Sequence, residues 1–327
     1  MSISVYQTKR IVAFAAIYLL WGGSYLAIRS VVSVLPPMFA ASLRYSLGGA
    51  ILMAISFVIR KKSFAGVRQA ANCGLVGLVM IVAGYALVFW SSTRLQSWIV
   101  AVLVSTTSLW TYMGECFVLG SQRPRAAVLV PLLIGLAAVP VVFVRNLHEN
   151  GLNSFAAGAG ILFSSIAWSV GTLALKRLRL PDCPFQSAGL QLGSAGFALA
   201  VISCGLGDWK HLALHRFVES AKLMSGMTYL VLCGSVMAFS AYHWLMHRES
   251  PTLVATFAYV NPIVAMILGI GLAHEGFSGA QLIAAAVILA SVIQVWRAQA
   301  SSPDGQFVPS MSSRAVLSAP AFAADAE

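Results

Sequence analysis

The chain has 327 residues, of which 59% are hydrophobic and 9% charged; so little charge cannot keep a soluble surface of this size wet, and long apolar stretches point to transmembrane helices. The every-second-residue alternation of a membrane barrel is absent. A net charge of +11 does not indicate nucleic acid, because the lysines and arginines stand in short clusters between apolar spans, where they set topology.

Ten spans are expected in chain order, each near the roughly 20 residues that a bilayer requires. They are Ile11–Ser33, Pro37–Ile59, Ala70–Ser92, Ser97–Leu119, Arg125–Val144, Ser154–Leu175, Pro184–Leu206, Met224–His247, Pro251–Ala273 and Phe277–Trp296. The first is long enough to span and lacks a convincing cleavage site, so it is expected to stay as a helix. Pro37, Pro184 and Pro251 punctuate helix starts, where a missing amide proton costs little. The external segment Asp208–Ser220 fits an interfacial amphipathic helix or a loop equally well. From Ala298 onward the chain is rich in Ser, Pro and Ala without periodicity, which predicts a disordered tail.

Lys9, Arg10, Arg60, Lys61, Lys62, Arg68, Arg123, Arg125, Lys176, Arg177, Arg179, Arg248, Arg297 and Arg314 fall on one side of this layout. Arg94, Arg145, Lys210, Arg216 and Lys222 fall on the other. The excess places both termini in the cytoplasm.

The two halves resemble each other. A slide of 147 residues sets Trp21 on Trp168, Arg29 on Lys176, Pro37 on Pro184 and Gly49 on Gly196; a slide of 154 sets Trp90 on Trp244 and Arg94 on Arg248. An odd number of crossings per half makes the second half enter from the opposite side, so the halves are expected to be inverted copies, as in many secondary transporters. The layout is a first five-helix repeat over residues 1–145, an external linker over 146–153, a second repeat over 154–297 and the cytoplasmic tail over 298–327.

Polar groups inside a bilayer are expensive and need a reason. Arg44 and Glu115 are the charged residues well inside spans. They differ in depth by roughly 16 Å at about 1.5 Å per residue, too far for direct contact. Arg44 reads as an anion hook or as a structural donor to helix ends. Glu115 and His243 lie at similar depth and form a candidate proton-coupling pair. Near the midplane, Trp21, Ser24, Tyr85, Thr106, Thr107, Trp168, Tyr259 and Asn261 could line a pocket for a zwitterionic or amphipathic solute. Singly, each reads as helix packing. Asn261-Pro262 is expected to kink the ninth span, since proline removes a backbone hydrogen bond. Gly189 and Gly193 fit close helix approach. The five cysteines read as small apolar packing residues, and no metal cluster, phosphate loop, nucleophile–base spacing or cofactor motif is found.

The stretches LLWGGSYLAIRSVVSVLPPMFAASLRY and LCGSVMAFSAYHWLMHRESPTLVATFAYVNPIVAMILGIGLAHE resemble EamA-type members of the drug/metabolite transporter superfamily. Trp21-Gly22, Pro36-Pro37 followed by Arg44, Ser250-Pro251 and Tyr259-x-Asn261-Pro262 carry the resemblance, which covers roughly residues 10 to 297. It implies a ten-helix inverted-repeat fold, a central cavity, alternating access and export of small metabolites such as amino acids, or of toxic compounds. The chain departs from the family pattern at Ser108, where a proline is usual, and at Gly120-Ser121 and His274-Glu275, where Gly-Glu is usual.

The expected protein is therefore a secondary transporter of the bacterial inner membrane, exporting a small amino-acid-like metabolite or drug. Its partners would be a small-molecule solute and the bilayer, with a homodimer open. The alternative is a membrane-embedded enzyme acting on a lipid-borne substrate, which would need a clustered nucleophile, metal or acid–base pair.

Overall fold

The computed structural model describes residues 2–61, 63–121, 123–211, 221–273 and 279–300. Lipid offers no hydrogen bonds to a backbone, so an apolar chain must satisfy its own amides locally, and helices do this. The described residues are mostly helical, with no strand among them.

Helix α1 spans Ser2–Val32. Helix α2 spans Pro37–Ala54 and continues in π-helical form over Ile55–Ile59. Helix α3 covers Val67–Ser91, with a π-helical stretch over Leu78–Tyr85. The fourth expected span divides into α4 (Ser97–Val104) and α5 (Thr107–Gly114), the latter continuing over Glu115–Leu119. Helix α6 runs without a break over Ala126–Arg177, 52 residues. Helix α7 is Pro184–Leu206, followed by a short turn of helix at Asp208–His211. Helix α8 covers Ala221–Met246, with a π-helical stretch over Leu230–Met237. The ninth expected span divides into α9 (Pro251–Ala255) and α10 (Phe257–Ala273), and α11 is Gly279–Ala300.

Seven helices among the described residues are long and apolar enough to cross a membrane, and the chain is a multi-pass membrane protein. Broad apolar faces look outward to where lipid would lie; Phe197 on α7 is 71% exposed and Val58 at the end of α2 is 74% exposed.

Three differences from the sequence reading have local causes. The segment 146–153, expected as a linker, is helical within α6; residues 141–153 contain no proline, the residue that punctuates other span junctions. The ninth span breaks at Thr256 rather than at Asn261-Pro262. There the Thr256 hydroxyl donates to the Leu253 carbonyl at 2.6 Å and the Thr256 N–H reaches the same oxygen at 3.3 Å. The fourth span breaks the same way, with the Ser105 hydroxyl on Val102 O at 2.6 Å and that of Thr106 on Leu103 O at 2.9 Å. Short hydroxyl side chains compete with the helix for its own carbonyls. Finally, Ala298–Ala300 close helix α11, while the rest of the expected tail, the 212–220 part of the interfacial segment and His274-Glu275 lie outside the described residues.

Helices α2 and α7 approach closely. A Cβ on Gly196 would meet Ser46 N at 2.5 Å, one on Gly49 would meet Gly193 N at 2.6 Å, and one on Gly189 would meet Met53 at 3.0 Å. As α2 advances from Ser46 to Met53, its partner runs backward from Gly196 to Gly189, so the two pack antiparallel. Helices α5 and α9 also meet antiparallel: the Ser108 hydroxyl donates to Ala255 O at 2.8 Å, and Glu115 meets Thr252. These crossings bring α1, α3, α6, α8 and α10 around one buried centre.

Candidate substrate-binding site

Aromatic rings fill that centre. Trp21 on α1 and Trp168 on α6 meet edge to face with centroids 5.5 Å apart. Tyr85 from the end of the α3 π-helical stretch lies 5.3 Å from Trp168. Three rings not singled out in the sequence complete the cluster: Phe257 at 4.7 Å and Tyr242 at 5.3 Å from Trp21, and Phe239 at 6.3 Å from both tryptophans. Edge-to-face pairs of this kind contribute about 0.5–1.5 kcal/mol each beyond their area. The Trp21 indole N–H donates to Gly234 O at 2.9 Å, in the π-helical part of α8. Such stretches recur at functional sites because they displace one turn of side chains and free carbonyls. Tyr242 bonds the Thr172 hydroxyl at 2.7 Å.

Arg44 lies against this cluster and is 2% exposed. Its Nε donates to Ser235 Oγ at 3.1 Å. The guanidinium carbon sits 4.9 Å from the Tyr45 ring centroid, 5.7 Å from Tyr85 and 5.9 Å from Phe89. Gly234 leaves it room, since a Cβ there would stand 2.8 Å from Nη2. Nη1 is buried without a hydrogen-bond partner, and no carboxylate of the described residues lies within ion-pair distance of Arg44. Ring faces return about 0.5–2 kcal/mol per cation–π contact, against several kcal/mol for taking an ion out of water. They also give the N–H groups of Nη1 no acceptor.

Glu115 is the opposite case. It is 4% exposed, and its carboxylate accepts from the Thr252 N–H at 2.9 Å and from the Thr252 hydroxyl. Ser121 Oγ donates to it at 3.4 Å. Thr252 lies in the first turn of α9, where orphan amides and the helix dipole favour an anion. Lys176 stands close enough to act on the same charge, and donates to Met246 O and, at 2.9 Å, to Glu249 O. Arg10 pairs with Glu249 at 2.6 Å. Helices α1, α5, α6 and the α8–α9 turn are thus tied together at one basic end of the bundle. Glu115 is bonded to Thr252 and Ser121 rather than to its expected partner His243, which packs against Phe239 and Tyr242 with Nε2 buried and unpartnered.

The remaining expected lining residues divide. The hydroxyls of Ser24 and Thr106 bond back to Leu20 O at 2.8 Å and Leu103 O at 2.9 Å on their own helices. Ser24 still borders Arg44 through Gly234, whose Cβ would lie 3.0 Å from Ser24 Oγ. Thr107 Oγ1 is buried and unpartnered, and Tyr259 is buried. The Asn261 amide, in the orientation its surroundings satisfy, donates to Tyr18 O and Phe257 O, both at 3.0 Å, and so pins α10 to α1.

A cavity of about 620 Å³ opens at the basic end, lined by Arg60, Asp182, Phe185, Ser240, Trp244 and Arg248 among others. Its inner wall reaches Ser240, the neighbour of Phe239 in the aromatic cluster. His247 also lines the cavity. Among the described residues no three His, Cys, Asp or Glu side chains group as a metal site.

The profile of the EamA-like transporter family matches residues 8–144 and again residues 157–297. The uncharacterized inner membrane transporter YedA of Escherichia coli (strain K12) is 32% identical over 286 residues, covering 86% of this chain and 89% of its own. The protein PecM of Dickeya dadantii (strain 3937) is 23% identical over 280 residues, 84% of this chain and 88% of its own. A protein known from a crystal structure shares the fold with a TM-score of 0.66 at 21% identity, covering 88% of this chain and 97% of its own.

Proposed function

The chain belongs to the EamA-like transporter family, and on that premise we propose that it is a secondary transporter of the bacterial inner membrane that exports a small organic solute by alternating access. The observation that carries this reading is the antiparallel packing of α2 on α7. The 147-residue slide equates these two helices, and an axis in the membrane plane turns one into the reverse of the other. The same slide equates Trp21 with Trp168, and their rings touch at the centre. Two inverted five-helix repeats, joined near 146–153, account for both contacts, whereas two parallel repeats would bring equivalent helices together in the same direction.

The basic end, where Arg60 and Arg248 line the open cavity, is the cytoplasmic end by the positive-inside rule. The solute enters there, and its body is taken up by the aromatic cluster. The Glu115–Thr252 and Arg10–Glu249 ties are the contacts that rearrange as this gate works. The name of YedA supports the inner-membrane location.

The test has two parts. Purified protein in proteoliposomes is assayed for saturable flux of radiolabelled metabolites, including amino acids; flux above protein-free vesicles is the expected result. Single cysteines at Lys61 and Asn153, in a background without the native ones, are then labelled with an impermeant reagent from either side. Labelling of both from the same side would overturn the inverted arrangement.

A further inference from the structure

We propose that Arg44 and the aromatic cluster form a two-part subsite for a singly charged carboxylate with an apolar or aromatic body, the carboxylate on the guanidinium and the body among the rings. This rests on the transporter reading and adds the substrate's chemistry to it.

The charged part is argued from what is missing around Arg44. A guanidinium has five N–H donors in a rigid fork that matches a carboxylate edge. The chain fills one of them with Ser235 and leaves Nη1 buried and empty. The neighbouring Tyr25 hydroxyl is fully buried within the field of Arg44. Among the described residues the buried charged side chains are Arg44 and Glu115 alone, and Glu115 is committed to Thr252. One positive charge matches one negative charge, which favours a monocarboxylate over a phosphate or a dicarboxylate. Among the described residues the core holds no free acid to receive an ammonium group, so net anions are favoured over amines.

The apolar part adjoins the charged part. Tyr85 touches both, its ring 5.7 Å from the guanidinium carbon and 5.3 Å from Trp168. Gly234 joins them on the other side, accepting from Trp21 and leaving Arg44 its room. Ser235 lies five residues from Ser240, about 7.5 Å along the helix, and Ser240 lines the open cavity. A solute entering there meets the rings first and the guanidinium last.

The full-length chain in detergent, at fixed ionic strength, is titrated with phenylacetate, phenylacetamide, 2-phenylethylamine and acetate, read by intrinsic tryptophan fluorescence because Trp21 and Trp168 report from the cluster. Phenylacetate is expected to bind at least tenfold tighter than the other three. Arg44→Gln should bring the acid down to the level of the amide, and Arg44→Lys, which keeps the charge but not the fork, should fall between. Equal binding of acid and amide to the unaltered protein overturns the proposal, as does binding of none of them or an undiminished preference for the acid in Arg44→Gln. The comparison within the unaltered protein holds even where Arg44→Gln fails to fold. Parallel flux in proteoliposomes separates the two readings: carboxylate binding without flux keeps the subsite and removes the carrier, and equal flux of acid and amide keeps the carrier and removes the subsite.

Discussion

Among the described residues two charged side chains are buried in the core of this bundle, and the protein treats them in opposite ways. Glu115 is completed by its own chain. It has an amide, a hydroxyl and a helix start to bond, and Lys176 nearby. Arg44 is left incomplete, with one serine, three ring faces and an empty nitrogen. A charge that is fully partnered within the fold is part of a joint between helices. A charge that is buried at a cost and left short of an acceptor is held ready for something that arrives.

The two residues therefore answer substitution differently. Glu115→Ala strips the acceptor from the Thr252 amide and hydroxyl and is expected to lower stability by about 3 kcal/mol, read as a lower melting temperature in detergent. Arg44→Met removes an uncompensated buried ion and is expected to leave stability unchanged or raise it by about 1 kcal/mol. A large loss for Arg44→Met in the same melts would make Arg44 a structural residue after all.

Glu115→Gln sharpens the contrast, since it keeps an acceptor but not the charge. Neutral hydrogen bonds contribute roughly half as much as charged ones, so a loss of about 1.5 kcal/mol is expected, midway between wild type and Glu115→Ala. Trp21→Phe keeps the ring contacts and removes the bond to Gly234 O, with a loss of about 1 kcal/mol and a several-fold weaker solute response. Gly234→Ala crowds a packed site, its Cβ meeting Arg44 Nη2 at 2.8 Å and Ser24 Oγ at 3.0 Å, with an expected loss of only about 1 kcal/mol. It nonetheless displaces the guanidinium, and solute affinity should fall several-fold. Unchanged affinity in Gly234→Ala would place the solute away from Arg44.

Much of the core was legible one residue at a time. The 147-residue slide singled out Trp21 and Trp168 before any contact was known. Depth along the spans separated Arg44 from Glu115, and the structure gives them separate partners. That Glu115 bonds Thr252 was not legible, because depth does not fix which way a side chain points around its helix. The breaks at Ser105–Thr106 and Thr256 did carry a signal, a hydroxyl able to bond back to its own helix, but Pro262 is the louder breaker in the sequence. Asn261 ties the helix to α1 at that level, and α10 runs through the proline.

The sequence by itself determined that this is a helical membrane protein, where most spans begin, and that the two halves echo each other. Those properties are written in composition and local order, and lipid enforces them on each helix separately. The tertiary structure alone decided which buried charge is completed and which is not. Ser235 stands 191 residues from Arg44, and Thr252 stands 137 from Glu115. Partners that distant are chosen by how helices cross and rotate. That is settled by close approach at residues such as Gly49 and Gly196 and by the displaced turns of the π-helical stretches inside α3 and α8, because packing selects faces where hydrophobicity marks only spans.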